Sequence, residues 1–171
     1  MKEISVSCDY TILDNFKYEI YENCELTMTA HVDLYSPLLD FFKKGNLYQS
    51  KITVNEGNRE IISIFKLIQV PISNELYTIT IGKENYSLKQ RKSYRIPDFY
   101  IDLSSGNLSL RGMINIQSFE IYYNKVKCAS IRGKIVKNKK VYTLKYEHVV
   151  KNSRELFLSL LLIIDNLYHD Y

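Results

Sequence analysis

The chain has no tryptophan, only three prolines and six glycines, and three cysteines, Cys8, Cys24 and Cys128, whose spacing forms no pair. Each shortage excludes something. The glycines stand singly, so no glycine-rich phosphate loop is present, and neither GxSxG, HExxH nor a paired CxxC occurs. An odd number of unpaired thiols suggests neither a disulfide framework nor a zinc site, and buried or idle thiols are the expectation. Residues Met1 to Asp9 hold no apolar stretch of signal-peptide length, and Cys8 lies too near Met1 to be a lipoprotein acceptor, which predicts a cytoplasmic protein. The longest apolar run, Leu156 to Ile164, spans far less at about 1.5 Å per residue than the roughly 30 Å of a hydrocarbon core. No transmembrane segment is therefore expected.

What is abundant is the vocabulary of a pleated surface. Fifteen Tyr and seven Phe stand among many Ile, and 46% of the 171 residues are hydrophobic, far too many for a disordered chain. A short pattern recurs: an aromatic residue, an alternating run, a polar turn and a second alternating run. It occurs at Phe16 to Val32 with its turn near Glu22-Asn23, at Ile52 to Val70 around Asn55 to Asn58, and at Leu76 to Leu88 around Gly82 to Asn85. Two further copies are Phe99 to Leu110, turning at Ser104 to Asn107, and Phe119 to Val136, turning at Asn124-Lys125. Period-two alternation with short polar turns reads as hairpins, and with Gly so scarce the turns fall to Asn, Asp, Ser and Lys. Five hairpins in series predict a mostly β fold, an antiparallel up-and-down barrel of about 10–12 strands, because a sheet of that size hides its edges by closing. One domain over residues 1–171 suffices.

Two segments break the rhythm. Ser36-Pro37 through Gly45 predicts one or two helical turns. Near the end, Asn152 followed three residues later by Glu155 is a capping signature and predicts a helix over about 153–168. From Leu156 to Ile164 that helix is apolar on every side except Ser159, so it must be surrounded, and the interior of the barrel is the container that fits it. Asp165 then follows the apolar run. Unpartnered burial there would cost several kcal/mol, so either the helix has left the barrel by that point or backbone amides at the mouth bond the carboxylate.

The search for chemistry yields charge, not catalysis. His31, His148 and His169 are isolated, and the acid pairs Asp9/Asp14 and Glu22/Glu25 border turns, so neither catalytic nor metal-ligating residues are assigned and no cofactor is implied. The formal net charge of +4 is unevenly spread: residues 1–60 carry six Lys or Arg against ten Asp or Glu, while 125–154 carry ten against one. The candidate binding residues are Lys134, Lys137, Lys139, Lys140 and Lys145, around a hairpin tip at Lys137-Asn138-Lys139-Lys140. Such a tip attracts lipid phosphates at about 1 kcal/mol per Lys. The competing reading is protection of strand edges by lysine. Nucleic acid is the weaker candidate: Tyr142 and Tyr146 could stack bases, but no recognition module is visible.

The run from Phe99-Tyr100-Ile101-Asp102 through Gly106 to Gly112, then Phe119 to Tyr122 and Val126 to Ile131, resembles the paired strands around a central glycine of the tubby C-terminal-domain-like group. That group includes LURP-one-related proteins and phospholipid scramblases. Leu160 to Asp170, with its Ile-Asp pair and trailing aromatic-His, is similar to the terminal helix of that family. The likeness covers residues 97–170, is weak before residue 50, and leaves 33–50 as an insertion relative to the small bacterial members. It implies about twelve strands around a central hydrophobic helix, and lipid association in some branches. Two functions follow as expectations. One is non-enzymatic binding of anionic lipid headgroups, which would place the protein peripherally on a membrane. The other is a protein-binding module, such as an immunity or inhibitor protein, using the acidic N-terminal half.

Overall fold

A computed structural model describes residues 1–9, 17–34, 48–67, 74–91, 98–137 and 139–168. The expected alternation becomes twelve strands. They are β1 (Lys2–Asp9), β2 (Lys17–Glu22), β3 (Glu25–Leu34), β4 (Tyr48–Glu56), β5 (Arg59–Leu67), β6 (Glu75–Ile81), β7 (Glu84–Gln90), β8 (Asp98–Leu103), β9 (Gly106–Met113), β10 (Ser118–Tyr123), β11 (Val126–Val136) and β12 (Lys139–Tyr146). Each is antiparallel to the next, and β1 closes on β12 with Lys2 opposite Tyr146 and Asp9 opposite Lys139, so the sheet is a closed up-and-down barrel. Closure removes both free edges.

The period-two pattern sets the two faces. Ile4, Val6 and Cys8 of β1, Met28, Ala30 and Val32 of β3, and Tyr142, Leu144 and Tyr146 of β12 all point inward and are buried. Charged and hydroxyl side chains take most of the alternate, outward positions. A barrel spanning a membrane with its strands needs the reverse, an apolar outer band. Among the described residues, no helix is long and apolar enough to cross a membrane.

The interior is filled by α1 (Ser153–Leu167), in which every residue from Leu156 to Asp165 is buried. Within that run the one hydroxyl, Ser159, donates to the carbonyl of Glu155 at 2.7 Å and is satisfied within the helix. The helix starts where the sequence places it, but not by the expected cap. Asn152 is in the left-handed region at φ 58°, and its amide donates to Glu84 (3.0 Å) and Tyr86 (3.2 Å) of β7 instead of closing the first turn. The turn before the helix is tied by Ser153, whose Oγ accepts from the amides of Val149 and Val150 and donates to the carbonyl of Val150. The helical turns expected over Ser36 to Gly45 lie outside the described residues, as do His169 and Asp170.

The two ends of the barrel differ. At the end where α1 begins, five two-residue turns join the strands, at 23–24, 57–58, 82–83, 104–105 and 124–125. Asn23 and Cys24, and again Asn124 and Lys125, take positive φ at both positions, the geometry a tight hairpin demands and one that Asn tolerates well. The other ends of the strands form the opposite mouth, where α1 finishes.

Candidate functional site

Variable chemistry in a barrel usually resides in the longer connections at one end, so the mouth around the end of α1 is where a site is sought. Its deepest polar feature is Asp165. The helix has not left the barrel there: the carboxylate is fully buried, with Tyr18 donating to Oδ2 at 2.9 Å, Tyr142 donating to Oδ1 at 2.8 Å, and the Lys140 ammonium 3.6 Å from Oδ1. The described contacts are thus side-chain hydroxyls and a cation from β2 and β12, where backbone amides were expected. Lys140 also donates to the carbonyl of Tyr168 at 3.4 Å, and Tyr77 of β6 donates to Asn166 at 3.1 Å. Burial and the neighbouring carboxylate push the hydroxyl of Tyr142 well above its ordinary range, and the same causes act on Tyr18.

Room for this cluster is made by Gly133. It lies opposite Tyr142 in the β11–β12 register, and a Cβ there would come within 2.6 Å of the Tyr142 ring. A carboxylate, two phenols and an ammonium sealed from solvent form a structural latch between helix end and wall.

The five lysines nominated from the sequence therefore divide. Lys140 is 1% exposed and points into the barrel, so it does not belong to a surface tip. Its neighbours in sequence carried the signal: Tyr142, Leu144 and Tyr146 are the apolar face of β12, and Lys140 falls on the same parity. Lys139 and Lys145 face outward but pair across the closing seam, with Glu19 at 3.8 Å and with Glu3 at 3.2 Å. Arg154 at the helix start forks onto Glu22 at 2.7 and 2.8 Å and reaches Glu56 at 3.1 Å. The charge asymmetry along the sequence is thus partly a complementarity of the first strands for the last. Tyr142 and Tyr146 are buried, so neither is available to stack a base.

Lys134 and Lys137 are exposed and carry no hydrogen bond or ion pair among the described residues, and Arg132, two residues before Lys134 on the outward face of β11, lies beside them with its charge acting on Glu120. Arg132, Lys134 and Lys145, with Glu3, Ser130, Gly133 and Thr143, line a shallow groove of about 640 Å³ on the wall of the barrel. Beside it lies a feature that the sequence reading missed. Met113 (59% exposed) ends β9, Ile116 (60%) sits in the turn to β10, and Ile135 (60%) and Val136 (40%) end β11. The turn adjoins β11 directly, the amide of Gly133 donating to the carbonyl of Gln117 at 2.8 Å, so the four apolar side chains and the three cations share one rim. Their runs look like ordinary strand ends in sequence; only exposure distinguishes them.

Cys8 and Cys128 are buried and Cys24 is exposed on its turn. Burial pushes the Cys128 thiol up to about 11, away from a reactive thiolate. Among the described residues, no three His, Cys, Asp or Glu side chains converge as a metal site requires.

Fold and rim together define a closed antiparallel β-barrel plugged by its own C-terminal helix, carrying a latch inside and a basic, apolar-studded rim outside. No family model, curated protein or solved structure matches the chain.

Proposed function

We propose that this protein is a non-enzymatic domain that docks peripherally on anionic membrane surfaces through the rim formed by the β9–β10 turn and the end of β11. The observation that carries this reading is the mixture on that rim: Arg132, and Lys134 and Lys137 with no ion pair among the described residues, beside the exposed Met113, Ile116, Ile135 and Val136. Either alone would be ordinary, since surface lysines and single exposed apolar side chains are common. Together they match the two-part physics of an interfacial anchor, in which cations are drawn to anionic headgroups and apolar side chains enter the headgroup boundary. A barrel of twelve strands around a central helix is also what the tubby-like resemblance implies, and it supports carrying lipid association over as a proposal.

The alternative, a protein-binding module using the acidic N-terminal half, draws less support, because Glu3, Glu19 and Glu22 are engaged by Lys145, Lys139 and Arg154.

Sedimentation with phosphatidylserine-containing vesicles tests the proposal. Binding is expected to fall with added salt and to weaken roughly fivefold for each lysine lost, at about 1 kcal/mol apiece, in Lys134→Glu and Lys137→Glu. Ile116→Asp with Ile135→Asp should weaken it further at fixed salt. Lys139→Glu should matter little. Binding indifferent to both Lys134→Glu and Lys137→Glu would remove the reading.

A further inference from the structure

On the other side of the same mouth, between β4 and β8, lies a cavity of about 370 Å³. Its apolar wall is Leu76, Phe99 and Leu167, so the end of α1 forms part of the floor. Its polar groups are Lys66, Gln49 and Gln90, with the rings of Tyr77 and Tyr168 completing the lining.

Lys66 is the unusual member. It follows Ile62 and Ile64 at two-residue spacing on the inward face of β5, and its register neighbours Ser50 and Tyr77 are both buried. Its side chain is half-buried, and its ammonium has no hydrogen bond or ion pair among the described residues. The charged lysines on the barrel wall nearby have partners: Lys51 pairs with Glu60 and Lys89 with Asp102, each at 3.2 Å. The carboxamides of Gln49 and Gln90 likewise carry no hydrogen bond among the described residues. Burial without compensation pulls the Lys66 ammonium below its ordinary range. A half-desolvated cation facing apolar walls costs stability, and an anion seated beside it would offset that cost.

We propose that this cavity is a binding site for a small singly charged amphiphile, a medium-chain carboxylate, whose headgroup pairs with Lys66 and whose chain lies against Leu76, Phe99 and Leu167. The volume sits at the low end of the range for small-molecule sites, which excludes a two-chain phospholipid. One cation assisted by two neutral amides matches one negative charge, whereas the dianion of a phosphate monoester would leave excess charge in a half-desolvated site. The Gln amides can donate to the second carboxylate oxygen.

The site is separate from the basic rim, and its test needs no membrane. Isothermal titration calorimetry of the full chain with monomeric octanoate is expected to show one site, and octanoate should raise the thermal midpoint. Octanol and octylamine, with the same chain and no negative charge, should bind at least about tenfold more weakly, the least a hydrogen bond to a charged group is worth. Octyl phosphate should bind more weakly than octanoate. Lys66→Met, which keeps the aliphatic stem, should lose octanoate binding by a similar factor while its circular dichroism and midpoint show it folded; Lys66→Arg should retain binding. Absence of octanoate binding, binding unaltered in Lys66→Met, or equal binding of octanol would each overturn the proposal, and tighter octyl phosphate would overturn the headgroup assignment. None of these outcomes depends on whether vesicles bind the rim.

Discussion

At the scale of single residues, the buried pair Lys140–Asp165 is the most consequential interaction in the molecule. Its charges lie 3.6 Å apart with almost no exposure, so their value comes from mutual compensation more than from net stabilisation. Asp165→Asn leaves the ammonium facing a neutral amide and should cost about 3–5 kcal/mol in denaturant unfolding. Lys140→Met combined with Asp165→Leu should recover most of that loss; a double variant as unstable as the single would show that the pair contributes more than compensation. The tyrosines around it set an alkaline limit. Tyr18, Tyr77 and Tyr142 all have hydroxyls raised above the ordinary value of 10.0, burial being the first cause in each. A raised folded-state value means that the folded protein holds its proton longer than the unfolded chain. Stability from these groups is therefore complete below about pH 10 and is lost as pH climbs through the folded values. Absorbance at 295 nm should show these three tyrosines ionising only as ellipticity is lost. Their ionisation in the intact fold would refute the burial.

At the scale of elements, the sequence was most informative where one local period decides the structure. The hairpins could be read because period-two alternation and Asn-rich turns are local signals, and the core helix because nine residues apolar all round permit only an enclosed position. What could not be read are contacts made by closure. Tyr18 and Asp165 are 147 positions apart, and although closure of the barrel is expected, no local pattern announces that it places Tyr18, Lys140 and Tyr142 around one carboxylate. For the same reason the basic C-terminal stretch looked like one patch, when closure gives Lys139 and Lys145 to the acidic strands and alternation turns Lys140 inward. The cap of α1 was misread because Asn152 is drawn to Glu84 and Tyr86 of β7, a partner 68 residues away that competes with the local amide. The helix as plug makes its own prediction. Leu161→Ala should destabilise by about 2–5 kcal/mol through a cavity that surrounding strands cannot fill, while Ser159→Ala, whose hydroxyl bonds only its own helix, should stay within about 1 kcal/mol. A small cost for Leu161→Ala in urea unfolding would mean that the helix is loosely held.

At the scale of the whole molecule, the strand pairing marks the line along which the barrel opens. The seam of β1 with β12 holds eight residue pairs, from Lys2–Tyr146 to Asp9–Lys139. Among the described residues the seam of β7 with β8 holds two, Lys89–Tyr100 and Gln90–Phe99, beside the Arg91 amide donating to the carbonyl of Asp98 at 3.0 Å. Toward the helix start the two strands part around a cavity lined by Glu84, Tyr86, Leu103, Ser104, Val150 and Lys151, and the incoming chain bonds the end of β7 through Lys151 and Asn152 to Glu84. Packing against the plug holds that gap together, with a surface ion pair between Lys89 and Asp102 at 3.2 Å that contributes at most about 1 kcal/mol. Sub-global opening should therefore begin at β7–β8, the wall that also carries Gln90 and Phe99 of the cavity, giving a small ligand a route between mouth and interior. Native-state hydrogen exchange should show the amides of residues 84–90 and 98–103 exchanging faster than those of 2–9 and 139–146, with Lys89→Ala widening the difference. Exchange that is fastest along β1 would instead make the closing seam the weak line of the barrel, and the first strand its door.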